Sequence, residues 1–352
     1  MTALSTYSYR LSHERQRRFL GALDRAMLAV GLAEGADFDL DFHAVMHWGE
    51  DAALEKHYFP RRSQRTPSVL TFFAQDAGTH NLVYANADLS KSTQAREVLV
   101  FCDHWHEATG TDPATLVLDQ RVTTQSVLAE IDERGIGFIT LRMRSPALLA
   151  HIEVIDERAW KTVSLDRDGN CRKPQVVDEV VTLSSYPRPI RQLVVRGLGR
   201  DSLTVVISND FSSTAKQLVE RCPRRMTIEQ RLAEAIRAFH LDALAGAVPL
   251  NVDLDVVLSV LAGAVCASLR RRLGTGYEAA TPDTLQRRFL HTGGIIINRG
   301  EDIVVQLNRR TYSPVLRSAD IADTNRPLVG RQAPALRICL KVGSISLREN
   351  WR

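Results

Sequence analysis

At 352 residues, 44% of them apolar, the chain can bury a large core and exceeds the length at which one core usually stops growing, so one elaborated domain or two are expected. A net charge of +4 permits a nucleic-acid partner without demanding one. The five cysteines, Cys102, Cys171, Cys222, Cys266 and Cys339, form no CxxC pair, which excludes a disulfide framework or zinc ribbon and fits a reducing cytoplasm.

The N-terminal "MTALSTYSYRLSHERQRR" lacks the apolar core of a signal peptide. Residues 12–31 predict an amphipathic helix capped by Ser12, with Leu20, Leu23, Met27 and Val30 recurring on one side. A strand follows over residues 38–50, "FDLDFHAVMHWGE". Strand alternation puts Phe38, Leu40, Phe42 and Ala44 on one face and Asp39, Asp41 and His43 on the other. Aspartate is depleted in strands, so that acidic face asks for a reason.

A basic loop, "KHYFPRRSQRTPS", leads into two apolar runs, "SVLTFFAQD" and "HNLVYANAD", which predict a hairpin about residues 77–79. A helix is expected over 92–108. Next, "TLVLDQRVTTQSVLAEIDERGIGFITLRM" spells a buried strand ending at Asp119, a helix capped by Thr123 or Thr124, and a second, parallel strand. Residues 145–203 turn to short valine-rich runs punctuated by "DRDGN", "SSYPRP" and "RGLGRD", the texture of a β-rich insertion. "SLTVVISND" restores a core strand. Helix is predicted over 213–239 and on to about 273. Its apolar run "VVLSVLAGAVCASL", about 14 residues, is shorter than the roughly 20 needed to span a membrane. It predicts a buried helix ending in Arg270, Arg271 and Arg272, where cations suit a helix C-terminus. The remaining tail is β-like, with a hairpin about residues 298–300.

These elements predict an α/β fold, a mixed sheet flanked by helices. In it Asp41, mid-strand, and Asp119, at a strand tip, can meet. Glu229 lies beside the apolar stripe Ile228, Leu232, Ala235 and Phe239 of its helix, where it can look at the same sheet edge. Carboxylates about 4 Å apart repel by about 4 kcal/mol at an effective dielectric of 20. A hard divalent cation, magnesium or manganese, resolves that repulsion, and a pair of them can clamp the attacking and leaving oxygens on phosphorus. Asp39 rivals Asp41, and Asp76 and Asp210 are further candidates; spacing does not choose among them. Helical geometry excludes a metal pair in "CDHWHE", because His104 and His106 face different ways.

The blocks "LDFHAVMHWGEDAALEKHYFPRRSQR", "TFFAQDAGTHNLVYANADLSK", "LVLDQRVTTQSVLAEIDERGIGFITLRMRS" and "RRMTIEQRLAEAIRAFHLDALAGAVPLNVDLD" together resemble the catalytic region of bacterial insertion-sequence transposases of the DDE type, over roughly residues 37–316. The resemblance implies a ribonuclease-H-like catalytic core over 37–144 and 204–273, with the β-rich insertion at 145–203 ahead of the last catalytic helix and a β-containing tail over 274–352. It implies Asp41, Asp119 and Glu229 as catalytic and metal-binding acids, two Mg2+ or Mn2+ ions, double-stranded DNA at transposon ends and target as substrate, and a homodimer in the DNA complex. The family element Tyr, two residues, Arg, three residues, Glu, six residues, Lys is matched only by Arg225 and Glu229; Cys222 holds the Tyr place, and Ile236, beside Arg237, the Lys place. Arg225, one helical turn before Glu229, can contact a phosphate there. The basic loop, with Lys56, His57, Arg61, Arg62 and Arg65, and the pair Arg142 and Arg144 are expected to touch the DNA backbone. Residues 1–36 are too few for a full end-binding domain, so the chain is expected to be a truncated transposase, with an inactive DNA-binding remnant or a stand-alone nuclease as the rival functions.

Overall fold

The computed structural model describes residues 11–46, 55–59, 63–119, 122–166, 173–198, 203–224, 226–241, 249–299, 302–319, 327–328 and 336–342. They belong to two compact units, Met1–Leu261 and Ala262–Arg352. The division falls inside the long helix that ends at Leu273, whereas the sequence suggests a boundary after it.

In the first unit, helix α1 (His13–Ala29) starts where the Ser12 hydroxyl accepts the Arg15 amide. Leu20 and Met27 are buried, as the periodicity predicts, but Val30 is exposed because the helix ends before it. Gly35, at φ 81°, turns the chain toward the sheet; a Cβ there would lie 2.8 Å from a methyl of Leu28 and 3.0 Å from the Trp105 ring. Strand β1 (Asp37–Met46) follows.

β1 lies between two neighbours of opposite sense. It pairs antiparallel with β3 (Gln64–Asp76) and parallel with β5 (Thr115–Leu118). β3 pairs antiparallel with β4 (Leu82–Asn86), and β5 pairs parallel with β6 (Gly137–Leu141). Helix α2 (Glu97–Thr109) joins β4 to β5, and α3 (Gln125–Glu133) joins β5 to β6. Thr124, of the two expected candidates, caps α3, accepting the Val127 amide. The result is an α/β fold with a mixed sheet flanked by helices.

The two faces of β1 differ in chemistry. Phe38 packs edge-on against Phe101 and Trp105 of α2, with ring centroids 5.1 and 4.6 Å away. Asp39, on the other face, lies under α5 (Ala215–Arg224) and α6 (Met226–Phe239). On that side Val117, Ile139 and Val206 pack against Leu218 and Val219 of α5.

Several segments depart from expectation. The basic loop is in part a strand, β2 (Lys56–Phe59), paired with the start of β3, because its residues continue the β3 ladder from Phe59–Gln64 to Lys56–Pro67. Arg61 and Arg62 lie outside the described residues. The 145–203 segment opens with a helix, α4 (Pro146–Glu153), whose Ser145 cap and Pro146 are helix-start signals hidden among β-prone neighbours. Its strands β7 (Lys161–Thr162), β8 (Gln175–Leu183) and β9 (Tyr186–Arg196) extend the main sheet, since β9 pairs with β10 (Thr204–Ser208) and β10 with β6. Helix α7 (Pro249–Leu273) is much longer than its apolar run. By length and composition its stretch Asn251–Leu273 is able to cross a membrane, but half of it is buried inside the protein. Its Asp253 is buried and accepts hydrogen bonds from the Ala87 amide and the His13 ring, as in a core helix.

In the second unit, α8 (Pro282–Leu285) is capped by Thr281. The expected hairpin forms between β11 (Gly294–Arg299) and β12 (Asp302–Leu307), and Phe289 packs against Tyr277 and Tyr312. Phe38 sits fully buried where β1 meets α2. Phe38→Ala should therefore lower unfolding free energy by about 3–5 kcal/mol, read from urea denaturation; a loss no greater than that of Phe42→Ala, a half-buried site on the same face, would show that this contact does not anchor the sheet.

Candidate active site

Parallel pairing of β1 with β5 runs from Asp37–Thr115 to Leu40–Leu118. Leu40 and Leu118 therefore stand side by side, adjacent strands lying about 4.8 Å apart, and Asp41 and Asp119 are the residues that follow them. Both acids are half-buried. Asp41 Oδ1 accepts the Phe42 amide at 2.9 Å, while the main-chain oxygen of Asp119 accepts the Val122 amide at 3.1 Å and the Thr140 hydroxyl at 3.4 Å.

Asp39 has a different environment. It is 1% exposed, and its Oδ1 accepts Arg221 Nη1 of α5 at 2.6 Å. Its Oδ2 accepts Nε2 of Gln75, its cross-strand partner on β3, at 3.3 Å. Burial raises its pKa above the ordinary carboxylate range, and the Arg221 guanidinium counters that rise. Gln75 Nε2 also donates to the Thr227 hydroxyl of α6 at 2.7 Å. Thr227 in turn lies 3.4 Å from His80 Nδ1. Burial, followed by the nearby Arg231 charge, lowers the His80 pKa below the ordinary imidazole value. His80 stands at φ 58°, a left-handed conformation that is uncommon for a side-chain-bearing residue.

The remaining acids have structural partners. Asp76 is fully buried and accepts the amides of Glu34, Gly35 and Thr79, fixing the approach to β1. Asp210 accepts the amides of Ser212 and Ser213 and the Ser212 hydroxyl in the loop that delivers α5. Burial alone would raise the Asp210 pKa, but these donors outweigh it and bring it to about 2. His104 is buried against Asp24 while His106 pairs with Asp112 on the surface, so the two rings do face different ways.

Glu229 lies exposed in the first turn of α6, beside the buried Ile228 and Leu232. Thr227, two residues before it, ties that turn to β3. Among the described residues, no three His, Cys, Asp or Glu side chains are grouped to hold a metal ion. The β1–β5 ladder reaches the residues just before Asp41 and Asp119, and no three-acid group that includes Glu229 is formed among the described residues. Arg225 lies outside the described residues, as do Arg61 and Arg62. Arg65 is exposed on β3 opposite Tyr58, and Arg144 is exposed just before the α4 cap. Arg142 is half-buried, its Nη1 donating to Gln192 Oε1 at 2.5 Å.

The sequence reading missed Arg221, Gln75, Thr227 and His80. Gln75, a polar residue in the apolar run from Val69 to Ala74 broken only by Thr71, is the one signal that pointed to them. In comparison with known proteins, no family model matches the chain, and no curated protein matches it.

Because the Asp210 pKa lies below its ordinary value, folding binds fewer protons there than unfolding. Its contribution to stability is present above about pH 3.8 and is lost as pH falls through about 2. Urea midpoints measured from pH 5 to pH 2 should fall less steeply for Asp210→Asn than for the unaltered protein; equal slopes would refute this role.

Proposed function

We propose that the chain is the catalytic part of a DDE-type transposase, a metal-dependent enzyme that cuts and joins DNA strands at insertion-sequence ends in the cytoplasm. The observation that carries the reading is the β1–β5 register, which pairs Leu40 with Leu118, the residues immediately before Asp41 and Asp119. The path β4-β3-β1-β5-β6, antiparallel through its first three strands and parallel through its last three, supports a ribonuclease-H-like core. Fold alone does not fix activity, so the site must carry the argument.

Two neighbouring carboxylates form a hard-oxygen donor pair of the kind magnesium or manganese takes. Asp41 and Asp119 would hold the ions, and Glu229 would complete the site from α6. Divalent ions in such a site neutralise developing charge and activate the attacking oxygen. Water then attacks the phosphodiester in line, breaking the P–O3′ bond to leave a 5′-phosphate and a 3′-hydroxyl. That hydroxyl attacks a target phosphodiester, forming a new ester bond as the target's own 3′-oxygen leaves and takes up a proton, with no covalent enzyme intermediate. The substrate is double-stranded DNA, two ends being held by a homodimer. Arg65 and Arg144, both exposed, contact backbone phosphates together with Arg142; Arg61, Arg62 and Arg225, outside the described residues, carry the same role by the resemblance alone.

A second reading is favoured by one observation. The family element around Glu229 is matched only at Arg225 and Glu229, with Cys222 in the Tyr place and Ile236 in the Lys place, as expected of a remnant that keeps the fold and binds DNA without cutting it. Intact inverted repeats flanking the gene would favour the enzyme. More directly, the unaltered protein should nick duplexes bearing those repeats when Mg2+ is present, and Asp119→Asn should abolish nicking while leaving the circular dichroism spectrum unchanged. Nicking retained in Asp119→Asn would remove that residue from the chemistry, and a protein that binds the ends but never nicks them would support the remnant. Arg65→Ala and Arg144→Ala should each weaken binding about uniformly across sequences and reduce the salt slope by about 1, measured by fluorescence anisotropy.

A further inference from the structure

The carboxylate face of β1 holds a polar cluster that no step of the proposed chemistry uses. Asp39 and Gln75 are cross-strand partners on β1 and β3, both essentially excluded from solvent. Each grips a different helix: Asp39 accepts Arg221 Nη1 of α5 at 2.6 Å, and Gln75 donates to the Thr227 hydroxyl of α6 at 2.7 Å. Arg221 and Thr227 stand on either side of the junction between those helices, and Glu229 follows Thr227 by two residues. Two attachments fix both the position and the rotation of a corner, where a single one would leave a pivot.

Resting on the reading of Asp41, Asp119 and Glu229 as the reacting acids, we infer that Asp39, Gln75, Arg221 and Thr227 are positioning residues, a clamp that sets the α5–α6 corner, and with it the first turn of α6 that carries Glu229, against the acid-bearing strand.

Energetics favour a geometric role over a merely stabilising one. A buried ion pair recovers little more than its desolvation cost, and apolar residues of similar volume often serve stability as well or better. Apolar anchoring is already present on both helices, in Leu218 and Val219 of α5 and Ile228 and Leu232 of α6. What hydrophobic contacts lack is direction. A short charge-assisted hydrogen bond and an amide-to-hydroxyl bond constrain distance and angle. Asp39 lies two residues before Asp41 on the same face, so the clamp and the acid pair share one strand and one register. His80, held at φ 58° with Nδ1 3.4 Å from the Thr227 hydroxyl, closes the chain of donors and acceptors.

The test compares Thr227→Val, Thr227→Ser and the double variant Asp39→Asn with Arg221→Gln, which removes both buried charges so that neither is left unpaired. Nicking of duplex DNA is followed across a Mg2+ titration, and amide exchange across residues 226–239 is followed by mass spectrometry. Thr227→Val and the double variant should each raise the Mg2+ concentration for half-maximal nicking at least about tenfold, and Thr227→Ser should restore it. A merely structural role would lower the melting temperature and leave the Mg2+ requirement unchanged, and that result in Thr227→Val overturns the inference even where the double variant does not fold. If the unaltered protein does not nick DNA, the functional reading falls and amide exchange alone decides the clamp. Faster exchange in the first turn of α6 in Thr227→Val then supports it, and unchanged exchange refutes it.

Discussion

The parallel pairing of β1 with β5 is the constraint on which the candidate site depends. A strand's side chains alternate, so a slip of one residue would send Asp41 to the aromatic face and Leu40 to the polar one. Phe38 locks the register by lying fully buried against Phe101 and Trp105. With that ring in place, Leu40 must face Leu118, and these are the residues just before Asp41 and Asp119, which 78 positions separate in the chain. The hydrophobic core on one side of the sheet thus determines the chemistry on the other.

Burying polar groups beneath α5 and α6 is the second feature, and it carries a cost. Asp39 is nearly inaccessible, and its raised pKa records the desolvation of its charge. Arg221 offsets that cost at 2.6 Å, and the Gln75 amide satisfies the other carboxylate oxygen. The same face continues into apolar packing through Val117 and Leu218, so the polar cluster is an island inside a core. That setting explains how Asp39 and Asp41, on one face and two residues apart, have different surroundings: one lies under a helix with its charge paired, the other is half-buried beside a strand end.

Much of this was legible in the sequence, for physical reasons that differ by element. Period-two alternation over residues 38–44 identified the two faces of β1, and the wholly apolar 116–118 run identified a strand covered on both sides. Capping chemistry located α1 at Ser12 and α3 at the Thr123–Thr124 pair, but only the structure chose Thr124. Local signals failed where tertiary pairing decided the outcome. The strand Lys56–Phe59 forms because β3 offers it an edge, and the basic residues and proline around Tyr58 and Phe59 hid that short β-prone pair. The helix Pro146–Glu153 was hidden by the valine-rich strands that follow it. Arg221 carries no sequence mark that sets it apart from the neighbouring arginines, because its partner lies 182 positions away. Glu229 was expected at the acidic edge from its helix stripe; the stripe is buried as predicted at Ile228, Leu232 and Ala235, but burial of a stripe does not determine where an exposed neighbour points.

The proposal that Asp41 and Asp119 act as a single cation-binding unit is open to one direct measurement, Mn2+ binding followed by the electron paramagnetic resonance signal of the free ion, with and without duplex DNA. If the register places the two carboxylates on one ion, Asp41→Asn and Asp119→Asn should each weaken binding at least about tenfold, and the double variant should do little more than either alone. Binding of unaltered strength in either single variant would mean that the two acids do not share a cation, and the assignment of the site would be wrong.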